Sequence, residues 1–350
     1  MYSKFWPKGG LPGILHHYTE TLVTFEYTTA AAKKPHSLVF IGGLGDGLAT
    51  TSYMADLAKA LLPTQWSLFI LNTTSSYQSW GLGHLDRDTN EIAQCIRYIK
   101  DYKTENFGDG KIVLMGHSTG SQCVLHYLYR PNPFTSRSAF DSSLEHVDRL
   151  PLDGAIMQAP VSDREAIQLC IQHGFGSKSP GEMRSICDQM EAISREAVKT
   201  QGIYDTLLPL ELTSAIYPSN TPISCRRFLS LYSPDSPQTP SEEDLFSADL
   251  SDEQLSKTFG MIQQQGLLRY RLMVLYSGAD QAVPAAVNKE TNLSRWKDAT
   301  DHSGKFKIWD EDHTAIIPNA SHALSNDDQA KPREFLVERV LGYLQSAASI

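Results

Sequence analysis

The sequence lacks a long apolar run: no stretch approaches the roughly 20 apolar residues that cross a bilayer, so we expect no membrane-spanning helix. The N-terminal stretch MYSKFWPKGGLPGILHHYTE has no apolar core followed by a small-residue cleavage site, so we expect no secretory signal. Basic residues are outnumbered, with 31 Lys and Arg against 40 Asp and Glu, and they form no long run. This balance disfavours a nucleic-acid-binding protein, because binding the phosphate backbone requires a basic surface.

Cysteine is also scarce, and its spacing shows no metal or redox motif. The five cysteines contain no C-x-x-C pair and are odd in number: Cys95, Cys123, Cys170, Cys187 and Cys225. This pattern favours reduced thiols in a cytoplasmic protein. One disulfide among Cys170, Cys187 and Cys225 is the alternative.

Metal and cofactor motifs are missing too. The segment 86–97 begins like a calcium loop, with Asp86, Asp88 and Asn90, but Glu91 stands where that loop needs glycine. There is no H-E-x-x-H, and the glycines of the chain fit neither the phosphate-loop nor the dinucleotide-binding pattern. We therefore expect no metal and no cofactor.

The first half of the 350 residues alternates short apolar runs with longer amphipathic segments. The runs suit parallel strands that are buried on both faces, and the segments suit helices. The apolar runs are 37–43, 66–72, 111–116 and 154–160, and the helical segments are 51–62, 86–102 and 121–129. This alternation predicts an α/β protein with a doubly wound, mostly parallel sheet.

The rhythm breaks after residue 160. Residues 161–266 mix helical stretches with loops rich in Pro, Ser and Asp, which is too long for an ordinary connection. Two late apolar runs, 271–278 and 314–320, and a final amphipathic helix over 331–346 then follow. We predict a core from 1–160 and 267–350 and an inserted, mainly helical cap from 161–266.

The strongest chemical signal is Gly116-His117-Ser118-Thr119-Gly120. A G-x-S-x-G that follows an apolar strand and opens a helix predicts a nucleophile elbow, a tight turn that presents the serine hydroxyl. Ser118 is therefore the predicted nucleophile. The side chain of His117 should diverge from that of Ser118, and we interpret it as a packing residue.

A serine hydroxyl needs a base, and the base needs an orienting acid; after an elbow they follow in the order acid, then histidine. Asp280 comes just after the first late apolar run, and His322 follows the second. They are the predicted acid and base for Ser118. His302 lies in a polar stretch, and His313 precedes the second run, at the wrong end of that strand.

Acyl transfer also needs donors for the oxyanion that develops. The backbone N–H of Thr119, next after the nucleophile, should be one. The other should come from the glycine-rich loop GGLGDGL at 42–48, where Leu44 N–H is the predicted donor.

These features place the chain among the α/β hydrolases, and longer motifs resemble a fungal family represented by an intracellular siderophore esterase. Members of that kind cleave the ester bonds of fusarinine-type ferric siderophores. The resemblance spans about residues 36 to 325 and is carried by GGLGDGL, SSYQSWGLGHLDRDTNEI, GHSTGSQ, APVSDREA, RRFLSLYSPD, EEDLFSADLSDEQLSKTFG and IIPNASHAL. It implies Ser118 as nucleophile, Asp280 as acid and His322 as base.

Together the residues predict a cytoplasmic serine esterase that works through an acyl-enzyme on a small-molecule ester. The resemblance implies a hydroxamate-type siderophore or a related fungal metabolite as the substrate. Two alternatives stay open: an acyltransferase with the same triad, and a non-catalytic ligand-binding protein on this scaffold. Arg226 and Arg227 in the cap are candidates for contacts with polar substrate oxygens, or for solvated surface positions.

Overall fold

A computed structural model describes residues 4–29, 33–134, 141, 144–201 and 205–350, and an eight-stranded sheet is its centre. The strands are β1 (Gly13–His17), β2 (Val23–Tyr27), β3 (His36–Ile41), β4 (Trp66–Leu71), β5 (Ile112–His117), β6 (Gly154–Gln158), β7 (Leu272–Ser277) and β8 (Ala315–Ile317). They lie in the order β1-β2-β4-β3-β5-β6-β7-β8. The pairs β1–β2 and β2–β4 are antiparallel, and the others are parallel. The predicted doubly wound, mostly parallel sheet is confirmed.

Helices cover both faces of this sheet and fill most of the segment between β6 and β7. They are α1 (Met54–Leu61), α2 (Leu85–Phe107), α3 (Thr119–Tyr129), α4 (Asp163–His173), α5 (Pro180–Gln201), α6 (Leu210–Thr213), α7 (Cys225–Tyr232), α8 (Asp252–Ser256), α9 (Ile262–Gln265), α10 (Lys289–Thr300) and α11 (Ala330–Ala348). Short 3₁₀ turns lie at Tyr77–Leu82 and Phe259–Met261. Among the helices that the structure describes, none combines the length and the apolar character that crossing a membrane requires.

Burial of both faces explains why the central strands are nearly continuous apolar runs. In β3, Val39 and Ile41 pack into the cluster that includes α2 and α3, whereas Leu38 and Phe40 pack into the cluster that includes α1 and α11. Successive side chains of a strand point to opposite faces, so a strand between two helical layers needs apolar residues at every position.

The segment between β6 and β7 contributes to two different apolar clusters. Its first part, with α4, α5 and α7, packs around Trp80 in a third cluster. Its second part supplies Leu245, Phe246 and Phe259 to the same cluster as α2 and α3. The second part is therefore continuous with the main core.

None of the five cysteines, all of which the structure describes, forms a disulfide. Cys95, Cys123, Cys187 and Cys225 are buried, and Cys170 is half-buried. The alternative of a bridge among Cys170, Cys187 and Cys225 is therefore wrong in this structure.

Candidate active site

A sharp turn between β5 and α3 presents Ser118. Its backbone has φ 55° and ψ −122°, in the positive-φ region that residues other than glycine rarely adopt. The strand and the helix approach so closely that a Cβ on Gly116 would lie 2.1 Å from the carbonyl oxygen of Gly120. The glycine therefore permits the turn that lifts the serine hydroxyl out of the sheet.

Ser118, His322 and Asp280 form a connected chain of hydrogen bonds. The Ser118 hydroxyl lies 2.8 Å from His322 Nε2, and His322 Nδ1 lies 2.8 Å from Asp280 Oδ2. The carboxylate can only accept, so Nδ1–H donates to it and Nε2 is left to accept from the serine. Asp280 also accepts from the backbone N–H of Ala282, and Gln281 accepts from that of His322. The structure thus brings the three predicted residues together.

The other late histidines lie elsewhere. His302 Nε2 hydrogen-bonds the carbonyl of Gly260, and His313 Nδ1 lies 2.9 Å from Asp310 Oδ1. The His313–Asp310 pair resembles the acid–base half of a triad, but no serine among the described residues is hydrogen-bonded to this histidine.

His117 lies behind His322 in a buried polar network. Its Nδ1 donates to Gln158 Oε1, which also accepts from the Tyr53 hydroxyl at 2.9 Å, and Gln158 Nε2 donates to Ser277. The rings of His117 and His322 are 5.1 Å apart. Burial, and then the neighbouring His322, lower the pKa of His117 to about 4. His117 is therefore neutral at neutral pH.

The glycine-rich loop after β3 contacts the nucleophile directly. A Cβ on Gly43 would lie 2.8 Å from Ser118 Cβ, so only glycine fits there. The N–H of Gly43 donates to Asp46 Oδ2, and the N–H of Leu44 donates to Thr119 Oγ1 at 3.0 Å. The two predicted oxyanion-hole residues, Leu44 and Thr119, are thus adjacent. The Thr119 hydroxyl accepts in this hydrogen bond, so it can still donate its hydrogen to another acceptor.

Sequence reasoning missed the residues that hold this loop. Asp46 accepts from the hydroxyls of Thr50 and Thr51 as well as from Gly43. The Tyr77 hydroxyl accepts from Leu48 N–H, and Tyr77 N–H donates back to the Asp46 carbonyl. An aspartate inside a glycine-rich loop was the available signal for Asp46, since such residues stabilise turns; Tyr77 had none.

The two arginines singled out in the segment between β6 and β7 differ from each other. Arg227 is only 3% exposed, and its Nη1 lies 2.6 Å from Oε1 of the equally buried Glu243. A solvated surface position is therefore wrong for Arg227. Arg226, its neighbour on α7, is half-buried.

Among the residues that the structure describes, one group has metal-ligand character: Asp86, His126 and Glu242, whose ligand atoms lie within 4.8 Å of one another. Asp86 Oδ1 already accepts from His126 Nε2 and from the Arg130 guanidinium. A guanidinium at this carboxylate opposes a second cation, so the group is better described as an ion-pair cluster.

The fold, and the order in which the chain supplies its serine, aspartate and histidine, are those of the α/β hydrolases. Within that class, the chain belongs to the family described as "Protein of unknown function (DUF1749)", whose model matches residues 4–345.

The relatives are similar over almost the whole chain. The chain is 71% identical to the fusarinine C esterase sidJ of Aspergillus fumigatus, over 99% of both proteins. It is 47% identical to the esterase AN6793 of Emericella nidulans, over 97% of this chain and 93% of that protein. The solved structure of the siderophore hydrolase EstB from Aspergillus fumigatus matches with a TM-score of 0.85 and 67% identity, over 98% of this chain and 100% of that one. The resemblance predicted from the motifs is confirmed.

Proposed function

We propose that this chain is a cytoplasmic serine esterase that hydrolyses the ester bonds of fusarinine C or a closely related hydroxamate siderophore. The observation that carries the proposal is 71% identity, over 99% of both proteins, with a fusarinine C esterase. The hydrogen bonds that connect Ser118, His322 and Asp280 support the proposal. A non-catalytic binding protein on the same scaffold would not need these hydrogen bonds.

In the proposed mechanism, Ser118 Oγ attacks the ester carbonyl while His322 Nε2 takes the hydroxyl proton. Asp280 holds the imidazole in the tautomer that accepts at Nε2 and stabilises the imidazolium. The oxyanion lies near the backbone N–H of Thr119. It also lies near the hydrogen-bonded Leu44 N–H and Thr119 hydroxyl. His322 then gives its proton to the departing alkoxide, which leaves the acyl group on Ser118. Water, deprotonated by His322, releases the acid and restores the serine.

The direct test is turnover of ferric fusarinine C, followed by mass spectrometry of the products. Hydrolysis yields a carboxylic acid and an alcohol from each ester, with the mass of one water gained per ester cleaved. The same reaction with an added alcohol or amine distinguishes the acyltransferase alternative, which would give acylated acceptor in place of acid. No turnover of the siderophore, with rapid turnover of short p-nitrophenyl esters, would contradict the substrate but keep the esterase.

Residues 161–266 are proposed to form a cap that selects the substrate. The glycine-rich loop at 42–48 is called the oxyanion loop below. Its Leu44, and Tyr217 in this segment, both pack against the cluster around Trp80. The rings of Trp80 and Tyr217 meet edge-on at 5.2 Å. Trp80 thus connects this segment with the oxyanion loop, and we expect side chains of the segment to contact bound substrate there. By contrast, Phe228 and Phe246 are fully buried and serve packing.

Tyr217→Ala is expected to change the ratio of kcat/KM between the bulky siderophore and p-nitrophenyl acetate by about tenfold, because one apolar contact discriminates by that order. Phe175→Ala, a cap aromatic that is 50% exposed, is the matched control and should keep the wild-type ratio. Thermal melts check folding. A folded Tyr217→Ala with an unchanged ratio would show that this face of the cap does not select the substrate.

Thr119→Val is expected to lower kcat by about 10²-fold with little change in KM. Valine keeps the shape but removes the hydroxyl that binds Leu44 N–H and can donate to the oxyanion, and losing one such donor costs about that factor. Thr119→Ser, which retains the hydroxyl, should keep most of the activity. If Thr119→Val retains kcat within twofold, the Leu44 N–H reaches the oxyanion without the hydroxyl.

A further inference from the structure

A small cavity of about 30 Å³ lies beside the oxyanion loop. Its lining includes Gly43 and Thr119, which are next to Ser118, together with Ser75, Asp88 and Arg227. A volume of this size holds one water-sized group. Ser118 does not line the cavity itself, but a Cβ on Gly43 would lie 3.3 Å from Ser118 Oγ, so the cavity adjoins a residue that contacts the nucleophile.

Three side chains that line this cavity have buried polar atoms without a hydrogen-bond partner among the described residues. These atoms are Ser75 Oγ, Asp88 Oδ1 and Arg227 Nε. Asp88 is 5% exposed and Arg227 is 3% exposed, so bulk water does not satisfy them. Buried polar groups are normally paired, and unpaired ones require a missing partner such as a water or a ligand.

The three groups come from separate elements that converge here. Asp88 lies in the first turn of α2, and Ser75 lies in the loop after β4. Arg227 lies in the first turn of α7, where its backbone N–H donates to the capping hydroxyl of Ser224. The contact between Arg227 Nη1 and Glu243 Oε1 fixes the guanidinium. Convergence of a buried donor and a buried acceptor on one small space is the geometry of a binding subsite.

The charges facing the cavity limit what it can take. Arg227 donates and opposes a cation, whereas Asp88 accepts and opposes an anion. Asp46 also lines the cavity, but its carboxylate already accepts from the N–H of Gly43 and from two threonine hydroxyls. A neutral group that both donates and accepts satisfies both side chains at once. A hydroxyl fits this description and the volume.

We propose that this cavity is a specificity subsite that binds a hydroxyl of the substrate's acyl part, with Arg227 donating to it and Asp88 accepting from it. The inference rests on the proposed esterase function and extends it: the preferred substrates are esters of hydroxy acids. A hydroxyl in this position makes the hydrogen bonds that Arg227 Nε and Asp88 Oδ1 otherwise lack.

The test compares pairs of activated esters that differ only in a hydroxyl against a methyl group of similar size. The pairs are p-nitrophenyl lactate against isobutyrate, and p-nitrophenyl 3-hydroxybutyrate against 3-methylbutyrate. The wild-type protein should favour the hydroxy ester of at least one pair by about tenfold or more in kcat/KM, because a site built to hydrogen-bond a hydroxyl rejects an analogue that lacks it. A ratio near one for both pairs overturns the subsite. Absence of all ester hydrolysis would instead overturn the esterase function.

Two variants locate the effect. Asp88→Asn and Arg227→Lys should each reduce the ratio of kcat/KM for the hydroxy ester to kcat/KM for the methyl ester at least fivefold, on the same reasoning. Arg226→Lys, beside Arg227 on α7 but away from the cavity, is the matched control. Melting temperatures verify folding. An equal loss on both esters in folded variants would mean that the side chains only support the structure, and would overturn the assignment.

Discussion

Replacing Ser118 with alanine is expected to lower kcat for ester hydrolysis by about 10³-fold or more, since only binding and oxyanion contacts then remain. Ser118 Oγ is the atom that His322 Nε2 reaches at 2.8 Å, so no other described group takes its place in this chain of hydrogen bonds. The measurement is kcat for p-nitrophenyl acetate and for ferric fusarinine C, together with labelling by a serine-directed phosphonate.

Ser303 supplies a matched control. It is an exposed serine with the same backbone φ of 55°, and its loop follows α10, where no histidine–aspartate pair reaches it in the described structure. Ser303→Ala should keep kcat within twofold, and the phosphonate should label Ser118 alone. Near-normal turnover by Ser118→Ala would exclude Ser118 as the nucleophile.

The elbow and its partners could be predicted because their signals are local or follow chain order. The turn needs Gly116 and Gly120, each two positions from Ser118, so five consecutive residues specify its geometry. Asp280 and His322 could be placed because each lies in the loop that follows an apolar strand, and the carboxyl ends of parallel strands meet at one edge of the sheet.

The antiparallel strands β1 and β2 were not predicted, and their polar interior explains why. Glu26 is buried in β2, where it accepts from Lys103 of α2 and lies 3.1 Å from His16 Nε2 in β1. Burial raises the pKa of Glu26, but hydrogen bonds from His16 and Lys103 outweigh this and hold it below its usual value. Paired charges in the interior remove the apolar alternation on which strand prediction depends.

Contacts between distant segments could not be predicted from the sequence either, because only the fold brings the partners together. The Leu44–Thr119 hydrogen bond joins residues 75 positions apart, and Arg227 meets Glu243 across a loop. An arginine in the sequence favours an exposed position on average, and only the fold shows that a buried carboxylate compensates it.

Asp280→Asn is expected to lower kcat by about 10³- to 10⁴-fold with KM little changed. The Asp280 side chain is fully buried, and its carboxylate accepts from His322 Nδ1. An amide can donate to Nδ1, which would stabilise the tautomer with hydrogen on Nε2, and that tautomer cannot take the proton of Ser118. The neutral amide also stabilises the imidazolium less well.

The pH–rate profile gives the matching readout in the wild-type protein. Activity should fall as the pH is lowered from 8 to 5, because a protonated imidazole cannot accept the serine proton. His117 does not contribute to this decline, since its pKa is lowered to about 4 and it stays neutral over the range. A flat rate between pH 5 and 8 would contradict histidine as the base.

The His313–Asp310 pair makes the Asp280 experiment specific. It has the same atoms in contact, at 2.9 Å against 2.8 Å, and side-chain exposures of 16% and 0% against 19% and 0% for His322 and Asp280. Asp310→Asn therefore removes the same kind of buried carboxylate–imidazole bond and carries a similar risk to folding. We expect it to lower the melting temperature about as much as Asp280→Asn, while kcat in the folded protein stays within twofold. If the two variants lost kcat equally, the loss would come from general destabilisation, and the role of Asp280 as orienting acid would be refuted.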